Sequence, residues 1–355
     1  MRRARRAEGG ERSEARPAVP SPARRRRAMA IGLLLLVASM LVATGLGPVA
    51  IAPATVARVL AAHLAGHAAA GVAPGLDTIV WLIRLPRVLL GALVGAALAM
   101  VGVALQAATG NRMVDPHLLG VSSGASLGAV AATVWFGAAF GWLTLSGFAF
   151  GGALGATALV IALGARAGRL DSSRLLLSGV AVSFALMALT NLLIYLGDPR
   201  AAQSVLFWML GGLGLARWSL LGAPAVCLVA GGLLLFGRRR ELNALTSGDV
   251  AAAALGVDVS ARRRELFVVG SLLTAACVAV SGAIGFVGLV VPHVCRRLFG
   301  AEHGRLLPLA ALGGALALVW ADVLARTLIA PDDLPIGVIT ALIGGALLVG
   351  LVRRG

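Results

Sequence analysis

The sequence contains no lysine, one tyrosine and three cysteines, and only 13% of its 355 residues are charged. Soluble domains have about a quarter charged residues, so this low fraction excludes an ordinary soluble enzyme. All 31 basic residues are arginines, and ten of them lie in the first 27 positions. The absence of lysine, beside abundant alanine and glycine, indicates GC-rich coding. The formal charge of +16 therefore does not indicate a nucleic-acid partner.

The three cysteines, Cys227, Cys277 and Cys295, lie in or beside apolar segments without a metal-binding spacing. We interpret them as small packing residues. No Walker motif and no cluster of His, Asp and Glu with metal-ligand spacing occurs. The chain is therefore predicted to be neither an enzyme nor an ATPase, and to hold no metal or cofactor of its own.

Hydrophobic residues make up 59% of the sequence, which indicates an all-α polytopic membrane protein. Ten apolar segments are long enough to cross a bilayer of about 30 Å, if some helices are short or tilted. These segments lie near residues 30–47, 88–107, 118–137, 145–165, 175–196, 219–237, 266–284, 285–299, 306–328 and 336–352. The division at 284/285 splits one nearly continuous apolar run.

The arginines predict the orientation in the membrane. With a cytoplasmic N-terminus, the inner loops hold 15 arginines besides the ten near the N-terminus, and the outer loops hold six. This bias follows the positive-inside rule and places both termini in the cytoplasm. Residues 1–28 are polar and predicted to be disordered, either as an over-extended gene start or as a basic tail near anionic lipid. Residues 29–355 form the predicted transmembrane domain.

The longest predicted cytoplasmic loop, residues 238–265, has an Ala-rich stretch between two arginine clusters. Thr246 or Ser247 is predicted to cap a short helix over 249–255, and Gly256 to end it. Such a helix has no lipid to face and is too small to form a core. It is therefore either a docking element for a cytoplasmic partner or an ordered loop.

Residues 281–300 combine small residues with a proline and a histidine. Three glycines recur here at helical spacing: Gly282, Gly285 and Gly288. They predict a flat strip that another backbone can approach closely. Pro292 removes a helix hydrogen bond, and His293 follows it. A helix that only sits in lipid needs none of these features, so the pattern favours a packed, moving part of a transport protein.

These motifs resemble those of the FecCD-type permeases, the membrane subunits of ATP-driven importers for iron–siderophore complexes, haem and vitamin B12. The resemblance runs from about Trp81 to Arg354. It implies a type II importer architecture in the bacterial inner membrane: a homodimer with the substrate path at its interface. Two ATPase subunits, which hold ATP and Mg²⁺, are expected below it and a substrate-binding protein above it. An iron–siderophore chelate is the predicted substrate, with vitamin B12 or haem as alternatives.

The resemblance also implies roles for individual residues. The helix that seats on the ATPases is expected at Gly248, Asp249, Ala251, Leu255 and Gly256. The arginines expected to receive acidic residues of the binding protein are Arg84, Arg87 and Arg326. Ser172 and Ser173 are expected to narrow the cytoplasmic end of the pathway. The chain departs from the family pattern at Arg112, at Asp333 and over 345–347.

A competing class is a secondary transporter driven by ions. Such a protein needs carboxylates inside the membrane, and Asp322 is the only acidic residue well inside a predicted span. Asp322 and Arg326 are four residues apart and are predicted to pair on one helix face.

A separate aromatic and Gly-rich stretch, residues 203–218, is too short to span and is predicted to be re-entrant or interfacial.

Overall fold

The computed structural model describes residues 22–67, 69–137, 142–166 and 169–353. Backbone groups inside a bilayer need hydrogen bonds within the protein, so apolar segments of a polytopic chain form helices. The helices in these residues are α1 Pro22–Gly45, α2 Pro53–Leu64, α3 Pro74–Thr78, α4 Leu85–Thr109, α5 Val121–Phe136, α6 Trp142–Gly164, α7 Ser172–Leu196, α8 Pro199–Met209, α9 Trp218–Gly237, α10 Arg239–Leu245, α11 Asp249–Ala254, α12 Val259–Ser281, α13 Val287–Phe299, α14 His303–Thr327 and α15 Ile336–Val352. Seven helical stretches in the described ranges are long and apolar enough to cross a membrane. The predicted all-helical polytopic architecture is confirmed.

Each of the ten apolar segments predicted to span the membrane contains one helix. Helices α5, α13 and α15 are the short ones, with 16, 13 and 17 residues. The apolar run across 284/285 is divided between α12 and α13, as predicted. Helix α1 begins at Pro22, inside the stretch predicted to be disordered, because arginine and alanine are good helix formers and extend the apolar helix backwards. Residues 1–21 lie outside the described residues.

Helix α4 is the centre of the molecule. It is apolar on all sides and buried over most of its length, as expected for a helix surrounded by others. It packs against α9, α12, α13 and α14. At the contact with α14, a Cβ atom added to Gly95 or to Gly314 would lie 2.1 Å from the carbonyl oxygen of the other. Glycine at both positions therefore allows the two backbones to touch.

Three short elements that the sequence did not predict connect the helices. A π-helical turn, Ile79–Arg84, leads into α4, and a 3₁₀ turn, Pro116–Leu119, precedes α5. Strand β1, Ala165–Arg166, pairs antiparallel with strand β2, Arg169–Leu170. This small hairpin brings the end of α6 beside the start of α7.

Helix α8 overlaps the first half of the stretch predicted to be re-entrant or interfacial, and its 11 residues are too few to cross a bilayer. The irregular backbone that follows it is hydrogen-bonded to other parts of the protein. The Gly212 N–H donates to the Ser281 carbonyl at 2.8 Å, and the Ile336 N–H donates to the Gly211 carbonyl at 2.9 Å. Such backbone is tolerated at membrane depth only where protein surrounds it in this way.

Candidate functional site

The coupling segment, residues 238–265, contains α10, α11 and the start of α12. Two glycines with positive φ, Gly248 at +96° and Gly256 at +81°, enclose α11. Helix α11 and its C-cap Leu255 present an exposed apolar face, on which Val250 is 87% and Leu255 71% exposed, with exposed Ala251 beside them. Large apolar side chains grouped on the surface in this way are typical of a protein interaction site.

The start of α11 differs from the sequence prediction. Its N-cap is Gly248, without a side-chain hydrogen bond, and the Thr246 hydroxyl instead donates to the Asn243 carbonyl at 2.7 Å. The predicted cap by Thr246 or Ser247 is therefore wrong. Asp249 accepts a hydrogen bond from Arg263 Nη2 at 2.8 Å, which fastens α11 to α12. The predicted end of the helix, just before Gly256, is confirmed.

A groove of about 400 Å³ lies beside the exposed face of α11. Its lining includes Glu241, Leu255, Asp258 and Arg262. The Arg262 guanidinium pairs with Glu241 at 3.0 Å and so links α12 to α10. An apolar projection beside a charged groove matches the anatomy of protein interfaces, which have an apolar centre and a polar rim.

The start of α7 carries the two serines expected to narrow the pathway. Asp171 caps this helix, because its carboxylate accepts the Arg174 N–H at 2.9 Å. Ser172 is half-buried and Ser173 is exposed in the first turn. The serines therefore do not cap the helix, and their role at the pathway stays a prediction.

Two of the three outer arginines, Arg84 and Arg326, are buried, with 6% and 3% of their surface exposed. Arg84 donates to the carbonyls of Thr44 and Gly45 at 3.3 and 2.9 Å. Arg326 donates to the carbonyl of Ala43 at 3.0 Å. These carbonyls belong to the last turn of α1, where they lack the N–H donors that a continuing helix would supply. The two arginines therefore bind the end of α1 to the bundle.

The third outer arginine, Arg87, is occupied by two carboxylates. Its Nε donates to Asp322 at 2.8 Å and its Nη1 to Asp333 at 2.6 Å. Asp322 also pairs with Arg326 at 3.2 Å, which confirms the predicted pair on one helix face. Arg84 and Arg326 are therefore buried, whereas Arg87 bridges the buried Asp322 and the more exposed Asp333. The docking of a binding protein on these arginines stays a prediction, and the burial of Arg84 and Arg326 favours a structural role for those two.

The glycines of the 281–300 motif do not form the predicted strip. Gly282 ends α12 with a φ of +65°, and Gly285 lies in the non-helical link between α12 and α13. Only Gly288 lies in a helix, where its carbonyl oxygen would be 1.8 Å from a Cβ atom added to Gly102. Phe286 adopts a φ of +68° in the link. A left-handed conformation of a bulky residue is costly and is found mainly at functional or switching segments.

Helix α13, which follows this link, is tied to α4 by a glutamine that the sequence analysis missed. Gln106 donates to the Gly288 carbonyl at 3.1 Å and accepts from Arg296 at 2.6 Å. Pro292 is buried inside α13 and His293 is half-buried beside it. A lone amide in the long apolar run of α4 was the signal that could have revealed this contact.

His117, in the 3₁₀ turn, makes a second tie to the same link. Its ring nitrogens contact the Ser122 hydroxyl and the Ile284 carbonyl. Residues 120–124 fit the G-x-S-x-G pattern of hydrolases, but in those enzymes the serine follows a strand. Here Ser122 follows a 3₁₀ turn at the start of α5, and the histidine faces a backbone carbonyl. The contact between His117 and Ser122 is therefore structural, and it connects the 3₁₀ turn to α5.

The remaining cavities offer few groups for binding a ligand. An open cavity of about 780 Å³ between α5, α6 and α7 is lined by glycine, alanine, leucine and phenylalanine. Ligand sites usually add a few placed polar groups to such a lining. Within the described ranges, no group of three or more His, Cys, Asp and Glu side chains could hold a metal ion.

Comparison with known proteins adds to this geometry. A family model described as the FecCD transport family matches residues 34–354, which is most of the chain. The chain belongs to the FecCD transport family. This FecCD protein is a multi-pass permease of an ABC importer, a non-catalytic transport subunit that works with ATPase and binding-protein partners.

Three relatives and one solved structure illustrate the similarity. An uncharacterized ABC transporter permease, YvrB of Bacillus subtilis, is 40% identical over 88% of this chain and 90% of its own length. The hemin transport system permease HmuU of Yersinia pestis is 39% identical over 78% and 83%. The cobalamin import system permease BtuC of Halobacterium salinarum is 40% identical over 80% and 75%. A solved structure described as an inward-facing metal-chelate type ABC transporter has 31% identity and a TM-score of 0.80, and covers 93% of this chain and 100% of that one.

Proposed function

We propose that the ATPase of this importer seats on the exposed face of α11, and that the ATPase alone binds ATP and Mg²⁺. The observation that carries this proposal is the exposure of Val250 and Leu255 on a short helix that has no lipid to face. Gly248 and Gly256 set the orientation of that helix, and Asp249 fastens it. The binding protein meets the opposite end of the permease through surfaces other than its buried arginines.

A second copy of the chain is proposed to pack along α7. Exposed residues recur there at intervals of three or four: Leu177, Ala181, Phe184, Ala188, Asn191 and Tyr195. An asparagine is costly in contact with lipid, so the exposure of Asn191 within this stripe favours a protein interface or a water-filled path. The substrate would pass between the two copies, with Ser172 and Ser173 narrowing the inner end.

We infer that the substrate is cobalamin. Permeases named for cobalamin or vitamin B12 import are 38–40% identical to this chain over 78–80% of its length. Haem is the second candidate, because a hemin permease is equally similar. These names favour a metal-bearing tetrapyrrole over the iron–siderophore complex predicted from the sequence.

The test is a pulldown of the tagged permease with co-expressed ATPase and binding protein, followed by reconstitution in proteoliposomes. Uptake of labelled cobalamin, haem and a ferric siderophore is then measured with and without ATP. We expect ATP-dependent uptake of cobalamin with competition by unlabelled cobalamin only. Uptake of the siderophore alone would contradict the substrate assignment, and uptake without ATP would contradict the importer mechanism.

A further inference from the structure

Three consecutive arginines at the start of α12 have different surroundings. Arg264 is exposed, Arg262 is half-buried in pairs with carboxylates, and Arg263 is buried with 3% of its surface exposed. Sequence alone presents all three as one charged cytoplasmic cluster. A buried guanidinium needs partners for its N–H groups, so the contacts of Arg263 are informative.

The guanidinium of Arg263 hydrogen-bonds three separate segments. Its Nε donates to the Ala108 carbonyl at the end of α4, at 2.8 Å. Its Nη1 donates to the Leu170 carbonyl in β2, also at 2.8 Å. Its Nη2 donates to both carboxylate oxygens of Asp249 in α11, at 2.8 and 3.1 Å. Arginine suits this position because its donors diverge from one rigid plane.

Two side chains of α12 hydrogen-bond the backbone of Leu170 in strand β2, one at its carbonyl and one at its N–H. Besides the bond from Arg263, the Leu170 N–H donates to the Ser260 hydroxyl at 3.1 Å. Leu170 is buried and directly precedes Asp171, the cap of α7. A displacement of Arg263 would therefore act on the first turn of α7, where Ser173 lies.

Helix α11 has few attachments to the rest of the chain. Ala252 is the buried residue of this helix, and Asp249 supplies its ion pair to Arg263. The Asp249 side chain is 60% exposed, so this half of the pair faces solvent while Arg263 lies inside. A force applied to α11 thus reaches the interior of the permease through this pair.

We propose that Arg263 is a positioning residue that carries displacements of α11 to the start of α7 and the end of α4. This inference rests on the proposed function, in which the ATPase acts on α11. It joins the proposed ATPase surface to the end of α4 and to β2, which leads into the turn of α7 with the serines predicted to narrow the pathway. Its removal should therefore separate ATP hydrolysis from transport.

The first experiment measures the number of substrate molecules transported per ATP hydrolysed by the reconstituted complex. Arg263→Gln removes the charge and the divergent donors but leaves Val250 and Leu255 exposed. The ATPase should still co-purify, while the ratio of transport to hydrolysis falls roughly 2- to 30-fold, the range found for residues that couple sites. Arg264→Gln is the matched control, because it removes the same charge from the next residue of α12, which is exposed and lies outside the groove lining. Its ratio should stay within about twofold of wild type.

A second experiment follows the movement itself. Spin labels are placed at Ala251 and Ser173 in the complex after replacement of the three native cysteines. In wild type, ATP should shift the distances of both labels from their counterparts in the second copy. In Arg263→Gln the label at Ala251 should still move and the label at Ser173 should not. A residue that only stabilises the fold would reduce both movements together.

If Arg263→Gln does not fold, Arg263→Lys and Asp249→Asn replace it in both measurements. Lysine keeps the charge, but its single ammonium group lacks the spread of donors with which the guanidinium bonds α4, β2 and α11 at once. A folded variant of this set with a normal transport ratio and normal movement at Ser173 would overturn the inference. Failure of the wild-type complex to recruit an ATPase or to transport would instead overturn the proposed function, so the two failures are distinguishable.

Discussion

The coupling segment and the outer arginine cluster are both charged regions at the ends of membrane helices, yet they differ in what they expose. The coupling segment presents the apolar face of α11 and keeps one arginine, Arg263, inside. The outer cluster buries Arg84 and Arg326 and pairs Arg87 with two carboxylates. The first region exposes an apolar surface of the kind that partners bind, whereas the arginines of the second hydrogen-bond within the bundle.

This difference shows what a run of arginines establishes. Such a run marks the membrane boundary, because charge is excluded from lipid. It does not establish that the arginine side chains are exposed, since an arginine can instead donate hydrogen bonds to a buried carboxylate or to the carbonyls at a helix C-terminus. Asp333 lies 246 residues from Arg87 along the chain, so their pairing depends on the fold.

The largest effect is expected from changes that remove or obstruct α11. Deletion of 248–256, or Gly256→Arg, should abolish transport and co-purification of the ATPase while membrane insertion continues. The physical reason is that an arginine at a positive φ distorts the turn and places charge beside the apolar face. Pulldown and uptake measure the result.

The matched control is Gly300→Arg, at another glycine with positive φ and open space around it. It should keep at least half of the uptake. Normal transport by the variant with 248–256 deleted would contradict the assignment of the coupling segment.

The second effect concerns the outer cluster. Asp322→Ala leaves Arg87 and Arg326 without a buried carboxylate and should destabilise the permease by about 3–5 kcal/mol. Asp333→Ala breaks the more exposed pair and should cost about 1 kcal/mol or less. Thermal unfolding in detergent compares the two variants, and equal shifts would argue against a buried structural network.

A smaller effect is expected from Arg84, and it distinguishes a structural role of this arginine from a role in docking the binding protein. Arg84→Gln removes hydrogen bonds to the end of α1 and should cost about 1–3 kcal/mol of stability. The affinity for the binding protein should be unchanged in the folded fraction. Arg58→Gln, at an exposed arginine on the same side, should alter neither quantity. A tenfold loss of binding-protein affinity at normal stability would restore the docking role.

The smallest effect is expected from one side chain of α11. Leu255→Ser removes apolar surface from the face that meets the ATPase, and should weaken ATPase binding by about 1.5 kcal/mol, or roughly tenfold. Stability should not change, because Leu255 is exposed in the free permease. Leu64→Ser, at an exposed leucine of α2, is the control and should leave ATPase binding intact.

Much of the fold could be predicted because hydrophobic length and arginine bias are local properties of the chain. The division of the run at 284/285 and the helix before Gly256 were found in the same way. The sequence did not predict the β1–β2 hairpin, the cap of α7 at Asp171 or the burial of Arg263. Each depends on which distant segment lies nearby, as when Arg263 reaches the carbonyl of Ala108, 155 residues earlier.

The glycines of the 281–300 motif show a different limit. Their spacing matches a helix, but Gly282 and Gly285 lie in the link between two helices. The same residue type serves close packing and positive φ, and spacing alone does not separate these uses. Only the three-dimensional position of each glycine distinguishes them.

The most direct test of the role of α11 is photo-crosslinking from Val250. A benzophenone amino acid at this position is compared with one at Arg58, on the opposite side, in cells that co-express the ATPase and the binding protein. We expect an adduct of the permease with the ATPase from Val250 and none with the ATPase from Arg58. A complex that forms and transports, yet gives no ATPase adduct from Val250, would contradict the assignment of α11 as the seat of the ATPase.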